Sequence, residues 1–91
     1  MEFTAHGQAR CRQRGIGRDV VEVLLEYGES GRHKGADVMF MDRQSRLRAR
    51  RALGQRVYAR IADRLNAYLV ISDEGRIITG ARRLQRLKFK S

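Results

Sequence analysis

Apolar and polar positions alternate along the chain with two different periods, and the switches between them mark the elements. Residues 18–27 carry Val20, Val21, Leu24 and Leu25 on one side of a 3.6-residue period, with Glu22 and Glu26 opposite, which predicts an amphipathic helix ended by Gly28. Before it, Thr4 can cap a shorter helix over about 5–14, and Gly15 suits the left-handed position that ends such a helix, with Ile16 turning back onto it. The two helices form an αα-hairpin joined through Gly15-Ile16-Gly17. The next stretch, "GESGRHKG", has no period and reads as a loop leading into a sheet edge.

"ADVMFMD" then alternates Val38 and Phe40 against Met39 and Met41, a strand apolar on both faces, with both methionines expected in the core. Asp42 can cap a following segment, "RQSRLRARRAL" at 43–53, whose apolar content is slight; it reads as an exposed helix or as an arm ordered by a partner. After Gly54, Val57, Ile61 and Leu65 recur at four-residue spacing in a helix over 55–66. "AYLVIS-DEG-RIITG" is a strand, a glycine-containing turn and a returning strand, hence an antiparallel hairpin. Strict alternation would put Ile77, Thr79 and Ala81 on one face of the returning strand and Ile78, Gly80 and Arg82 on the other. The tail "RRLQRLKFKS" is basic, with Leu84, Leu87 and Phe89 spaced to touch the body. The order α-α-β-α-β-β predicts a single α+β domain over 1–91, a helical hairpin and a further helix packed on one face of a small antiparallel sheet.

Length and composition narrow the function. A chain of 91 residues buries about 60–65% of its unfolded surface, enough for one thin core. No apolar run approaches the ~18 residues of a membrane span, and the N-terminus lacks the pattern of a signal peptide, so no membrane partner is expected. The lone Cys11 excludes an internal disulfide and suits a reducing, cytoplasmic setting; its surroundings predict an inert, half-buried thiol. One Cys and two His cannot build a zinc site from soft ligands alone, and neither a metal nor a cofactor is implied.

Charge is more telling. There are 20 Lys+Arg against 10 Asp+Glu, a net +10. Residues 1–29 are net −1, whereas 43–64 hold eight Arg and one acid, and 76–91 hold six basic groups and no acid. A genome rich in G and C would favour Arg over Lys but would not remove acids from those same segments. A polyanion partner, most simply RNA, therefore fits Arg43, Arg46, Arg48, Arg50, Arg51, Arg83, Arg86 and Lys88 as backbone contacts.

Candidate chemistry sits at the start. His6, Arg10 and Arg14 are four apart and form one row on a helix. Two guanidinium forks match phosphate oxygens, and an imidazole suits proton transfer near neutrality; the same spacing also describes a solvated cationic face. His33 offers a second imidazole with which His6 would share acid and base roles, or is a loop histidine without a task. Arg82 and Arg83, at the end of the last strand, either stabilise a pentacovalent phosphate or simply guard a strand end. Thr79 reads first as a β-former.

The string H-x-x-x-R-x-x-x-R-G-I at 6–16, the short second helix and the closing V-I-S-D-E-G-R-I-I-T at 70–79 resemble a family of small bacterial proteins known as a domain of unknown function. That family is related to RelE/ParE-type toxins and to the wider barnase–EndoU–colicin–RelE group of ribonuclease folds. The resemblance covers most of the chain. It implies a helical hairpin on an antiparallel sheet, metal-independent RNA cleavage, and a toxin–antitoxin setting in which an acidic antitoxin protein is a partner. It assigns His6, Arg10, Arg14 and Arg82 to the catalytic site, with His6 as acid or base and the arginines on the scissile phosphate. Relatives often read T-x-G-H-R after the last strand where this chain reads TGARR, so Arg82 stands at the position of the expected histidine. Without that histidine, a module that binds nucleic acid or the ribosome and does not cut is the competing expectation, and a module for a protein partner alone is a third.

Overall fold

The computed structural model describes residues 3–82. Helices α1 (Ala5–Gln13) and α2 (Arg18–Tyr27) are followed by strands β1 (Glu29–His33) and β2 (Ala36–Phe40), helices α3 (Arg43–Leu53) and α4 (Gln55–Ile61), a 3₁₀ turn (Ala62–Arg64), and strands β3 (Ala67–Ile71) and β4 (Ile77–Arg82). The strands form one antiparallel sheet in the order β1-β2-β3-β4, with the helices against one face, so the class is α+β.

The helical hairpin is built as its residues dictate. The Thr4 hydroxyl accepts from the Gly7 N–H at 2.9 Å. At the other end Gly15 has φ +67°, its N–H bonds the Arg12 carbonyl, and the Ile16 N–H reaches back to the Cys11 carbonyl at 2.9 Å. That pair of bonds is a Schellman ending, and the apolar contact that accompanies it is Ile16 against Cys11, both buried. α3 is a helix that begins with a capping box: Ser45 N–H donates to the Asp42 carboxylate and Asp42 N–H to the Ser45 hydroxyl. Gly54, at φ +87°, separates α3 from α4. Val20, Leu24, Met41, Leu65, Leu69 and Ile77 centre the core, with Met39 half-buried against it.

Three expectations are corrected. "GESGRHKG" is not a loop: Glu29–His33 pair with Ala36–Phe40 through a two-residue turn at Lys34 and Gly35, both at positive φ. β1 is an edge strand with polar side chains, so it lacks the alternation that marks a half-buried strand. The helix expected over 55–66 stops at Ile61, and Val57 stays 46% exposed while Ile61 and Leu65 are buried. In β4 the strict alternation fails: Ile71 faces Ile77 while Val70 faces Thr79, so Ile78 is an extra residue. Ile77, Gly80 and Arg82 therefore share the face beneath the helices, and Thr79 and Ala81 the other.

The bulge matters because α1 lies on β4. A side-chain carbon at Gly7 would overlap the Ile77 carbonyl, and one at Gly80 would stand 2.6 Å from Cys11 Sγ, so helix and strand meet through paired glycines.

Candidate nucleic-acid interface

α1 is pinned to the edge strand at both ends. Thr4 donates its N–H (3.0 Å) and its hydroxyl (3.2 Å) to the Ile77 carbonyl, and Arg14 Nη1 donates to the Gly80 carbonyl at 3.0 Å. Arg14 is thus fixed by one arm of its fork, leaving the others for a ligand. Arg82, projecting from the end of β4 on the helix side, brings Nη2 over the Gly15 turn, 3.6 Å from where a side chain at Gly15 would begin. Arg14 and Arg82, with Gln13 and Ala81, line an open depression of about 540 Å³. Two guanidiniums in one depression, one of them anchored to backbone, present forked donors of the kind that match a phosphate or another small oxyanion.

The rest of the row does not join them. Arg10 Nε donates to His6 Nε2 at 3.3 Å on the exposed surface. His6 lies eight residues before Arg14, about 12 Å along the helix axis, and neither His6 nor Arg10 lines the depression. With Nε2 facing a guanidinium, the imidazole donates a proton from that atom only if Arg10 swings away. His33 is farther still: it ends β1, three strands from β4 and about 14 Å across the sheet. The fold does not bring the two histidines to one phosphate.

The arginines of α3 divide into two groups. Arg46 donates to the Ala62 carbonyl and to Asn66 Oδ1 (3.1 and 2.7 Å), and Arg48 to the Tyr27 carbonyl and Glu29 Oε1 (3.1 and 2.6 Å). Both hold α3 to its neighbours. Arg43, Arg50 and Arg51 have no hydrogen-bond or ion-pair partner among the described residues, and they flank the 38%-exposed Leu47 on the outer face of the helix. They supply charge on an exposed helix face. Arg83, Arg86 and Lys88 lie outside the described residues, as do Leu84, Leu87 and Phe89.

Cys11 faces Gly80 in the seam between α1 and β4. Burial pushes its thiol pKa up, against a smaller lowering by the charge of Arg14, so it stays protonated and unreactive. Among the described residues, no group of three or more His, Cys, Asp or Glu could hold a metal ion, and no helix is long and apolar enough to cross a membrane.

Two further depressions were not foreseen. The larger, about 710 Å³, runs between α2 and α4 over Val23, Leu25, Leu53 and Val57, with carboxylates on the α2 rim and, opposite, Arg60 of α4 and Arg64 of the 3₁₀ turn. The other, about 500 Å³, is lined by the Gly15 turn and bordered by Arg12 and Arg18. Helical geometry could have flagged Arg12: it stands 200° around the axis from Arg14, so "RCRQR" sends its first and last arginines to one flank and its middle one to the other. No family model, no curated protein and no solved structure matches this chain.

Proposed function

We propose that this protein binds RNA, gripping a backbone phosphate between Arg14 and Arg82, and that its likeness to the RelE/ParE-type group reflects this use. The observation that carries the reading is the convergence of those two side chains on one depression, with Arg14 held by the Gly80 carbonyl. An anchored fork loses little freedom when a phosphate arrives, which favours binding over a solvated helix face. The net charge of +10 and the unpartnered Arg43, Arg50 and Arg51 add a field that draws a polyanion in.

The test is fluorescence anisotropy of a labelled RNA across a salt series. Affinity falls linearly on a log–log plot, with a slope of about −0.7 per phosphate contacted in a single strand. The double variant Arg14→Ala/Arg82→Ala weakens binding and flattens that slope. Unchanged affinity in a folded double variant refutes the reading.

A catalytic version rests on the motif row His6, Arg10 and Arg14, and requires Arg10 to release the His6 Nε2 that it now occupies. It makes His6 the acid or base of a metal-independent endoribonuclease. The separation of His6 from Arg14 along α1 favours holding over cutting. RNA incubated with the protein in EDTA decides between them: fragments that vanish with His6→Ala support cleavage, and intact RNA supports the binding module.

A further inference from the structure

Arg12 and Arg18 border a depression whose floor is apolar: Phe3, Ile16 and Val21 lie beneath them, and Gln8 stands at the rim. That combination does not suit a bare anion, which gains nothing from an aromatic ring and two aliphatic chains. It suits a nucleobase, with a flat apolar face to stack and edge groups to hydrogen-bond, joined to a phosphate. The volume, about 500 Å³, falls in the range of small-ligand sites.

We propose that this depression takes one unpaired nucleobase of the RNA bound at Arg14 and Arg82, its phosphate held by Arg12 and Arg18, with the strand crossing the Gly15 turn between the two sites. The proposal rests on the phosphate reading above and specifies its ligand as single-stranded. Gly15 borders this depression, and its would-be side-chain position neighbours Arg82 Nη2, so the turn connects the two sites. Gly15 puts no side chain in the crossing, and the Asp19 carboxylate beside Gly17, which accepts from the Val20 N–H and from Arg64, bounds it on the α2 side. The Arg12 guanidinium has no partner among the described residues. Arg18 has only Glu22 at 3.9 Å, on side chains 90% and 73% exposed, a pair weak enough to give way to a phosphate. Arg64 is different: its Nη2 is bound to the Asp19 carboxylate at 3.1 Å and to the Arg60 carbonyl, so its charge is already paired and it serves as a wall. The Gln8 amide, exposed at the rim, carries both donors and an acceptor for a base edge. A base in a duplex is stacked and paired and cannot enter.

The experiment is anisotropy with three labelled RNAs: a single-stranded decamer, the same decamer with its internal bases replaced by abasic sites, and the decamer in a duplex. The whole chain binds the single strand about tenfold more tightly than the abasic strand, the usual scale for one stacked base. The duplex binds more weakly than the single strand. Gln8→Ala/Arg12→Ala, both on exposed positions, removes the edge contact and the phosphate grip that seats the base over the apolar floor and so loses most of the preference for bases, while Arg14→Ala/Arg82→Ala keeps it and binds all three RNAs less well. Equal binding of abasic and base-bearing strands, or of duplex and single strand, overturns the base site. So does a Gln8→Ala/Arg12→Ala protein with the wild-type preference. If those results come with weakened binding in Arg14→Ala/Arg82→Ala, the phosphate reading stands and only the base site falls. If the base preference follows Gln8 and Arg12 while Arg14→Ala/Arg82→Ala binds normally, the base site stands and the phosphate grip falls.

Discussion

Gly7→Ala separates the architecture of the α1–β4 seam from helix propensity, because the two predict opposite signs. Alanine is the better helix former by about 1 kcal/mol, so on an exposed helix face the change stabilises. Here the new methyl would overlap the carbonyl oxygen of Ile77, a backbone atom of a paired strand that cannot step aside. α1 must lift instead. Overpacking of this kind costs about 1–3 kcal/mol. Lifting also strains the Thr4 bonds to the same carbonyl and the Arg14 bond to Gly80, worth about 0.5–1.5 kcal/mol each. The net expectation is a loss of about 2–3 kcal/mol, out of a total of about 5–14 for a chain of this size. Thermal unfolding followed by circular dichroism should show Tm lowered by about 8–20 °C. Ala9→Gly, an exposed position on the same helix, is the control and should lose only about 1 kcal/mol. A Gly7→Ala protein as stable as wild type, or more so, refutes the close approach of helix and strand and with it the placement of Arg14.

Burial alone would raise the Asp42 carboxyl, but the Ser45 backbone N–H and hydroxyl, aided by the charge of Arg48, outweigh it and hold the group below the ordinary carboxylate range. Because its folded pKa is depressed, its contribution, about 1 kcal/mol as a cap, is present above about pH 4 and is lost as pH falls through the folded value. Asp42→Ala should flatten the acid limb of a urea-unfolding series between about pH 5 and 2. Arg46→Ala should lower Tm through the lost bonds to Ala62 and Asn66, whereas Arg50→Ala should leave Tm unchanged and reduce only the salt slope of RNA binding. Equal Tm changes for the two would contradict the division of α3 into tying and free arginines. Cys11 should resist alkylation at pH 8 in the native protein and react readily in denaturant; its raised pKa also makes stability fall as pH rises above about 8.5. Rapid native alkylation would place the thiol outside the seam.

Where a residue acts on its own backbone neighbours, the sequence could be read directly. Thr4, Gly15, Ile16 and Asp42 begin or end helices through contacts within five residues, and all four do so where their types suggest. β1 was hidden because an edge strand needs no apolar alternation; its partner β2, which does alternate, was visible. The bulge at Ile78 was hidden for a different reason. The pattern 77–82 is compatible with either register, and only the fit of Gly80 beneath Cys11 selects one. Val57 fits a helical stripe as well as Ile61 does, yet the helix tightens into a 3₁₀ turn after Ile61 and the start of the stripe is left in water. The site was half legible. Arg14 stood out in the four-residue row and Arg82 at the end of the last strand, but Arg12 and Arg18 become neighbours only when the Gly15 turn folds α2 back along α1.

Counting charge would also mislead about where the proposed polyanion is held. α3 is the most cationic helix, yet Arg46 and Arg48 are spent on the body of the protein, and its outer face is exposed and carries Leu47 beside arginines that no described residue anchors. Such a surface raises the local concentration of a polyanion without fixing its register. Fixing requires side chains whose own positions are already determined. In this fold they lie at the α1–β4 seam, where glycines let helix and strand touch and an arginine closes the bond to the strand's carbonyl. Arg14 therefore acts twice, sealing the edge strand with one nitrogen and offering the rest to solvent. The helix that protects the sheet from adding another strand is the same one that presents the cations.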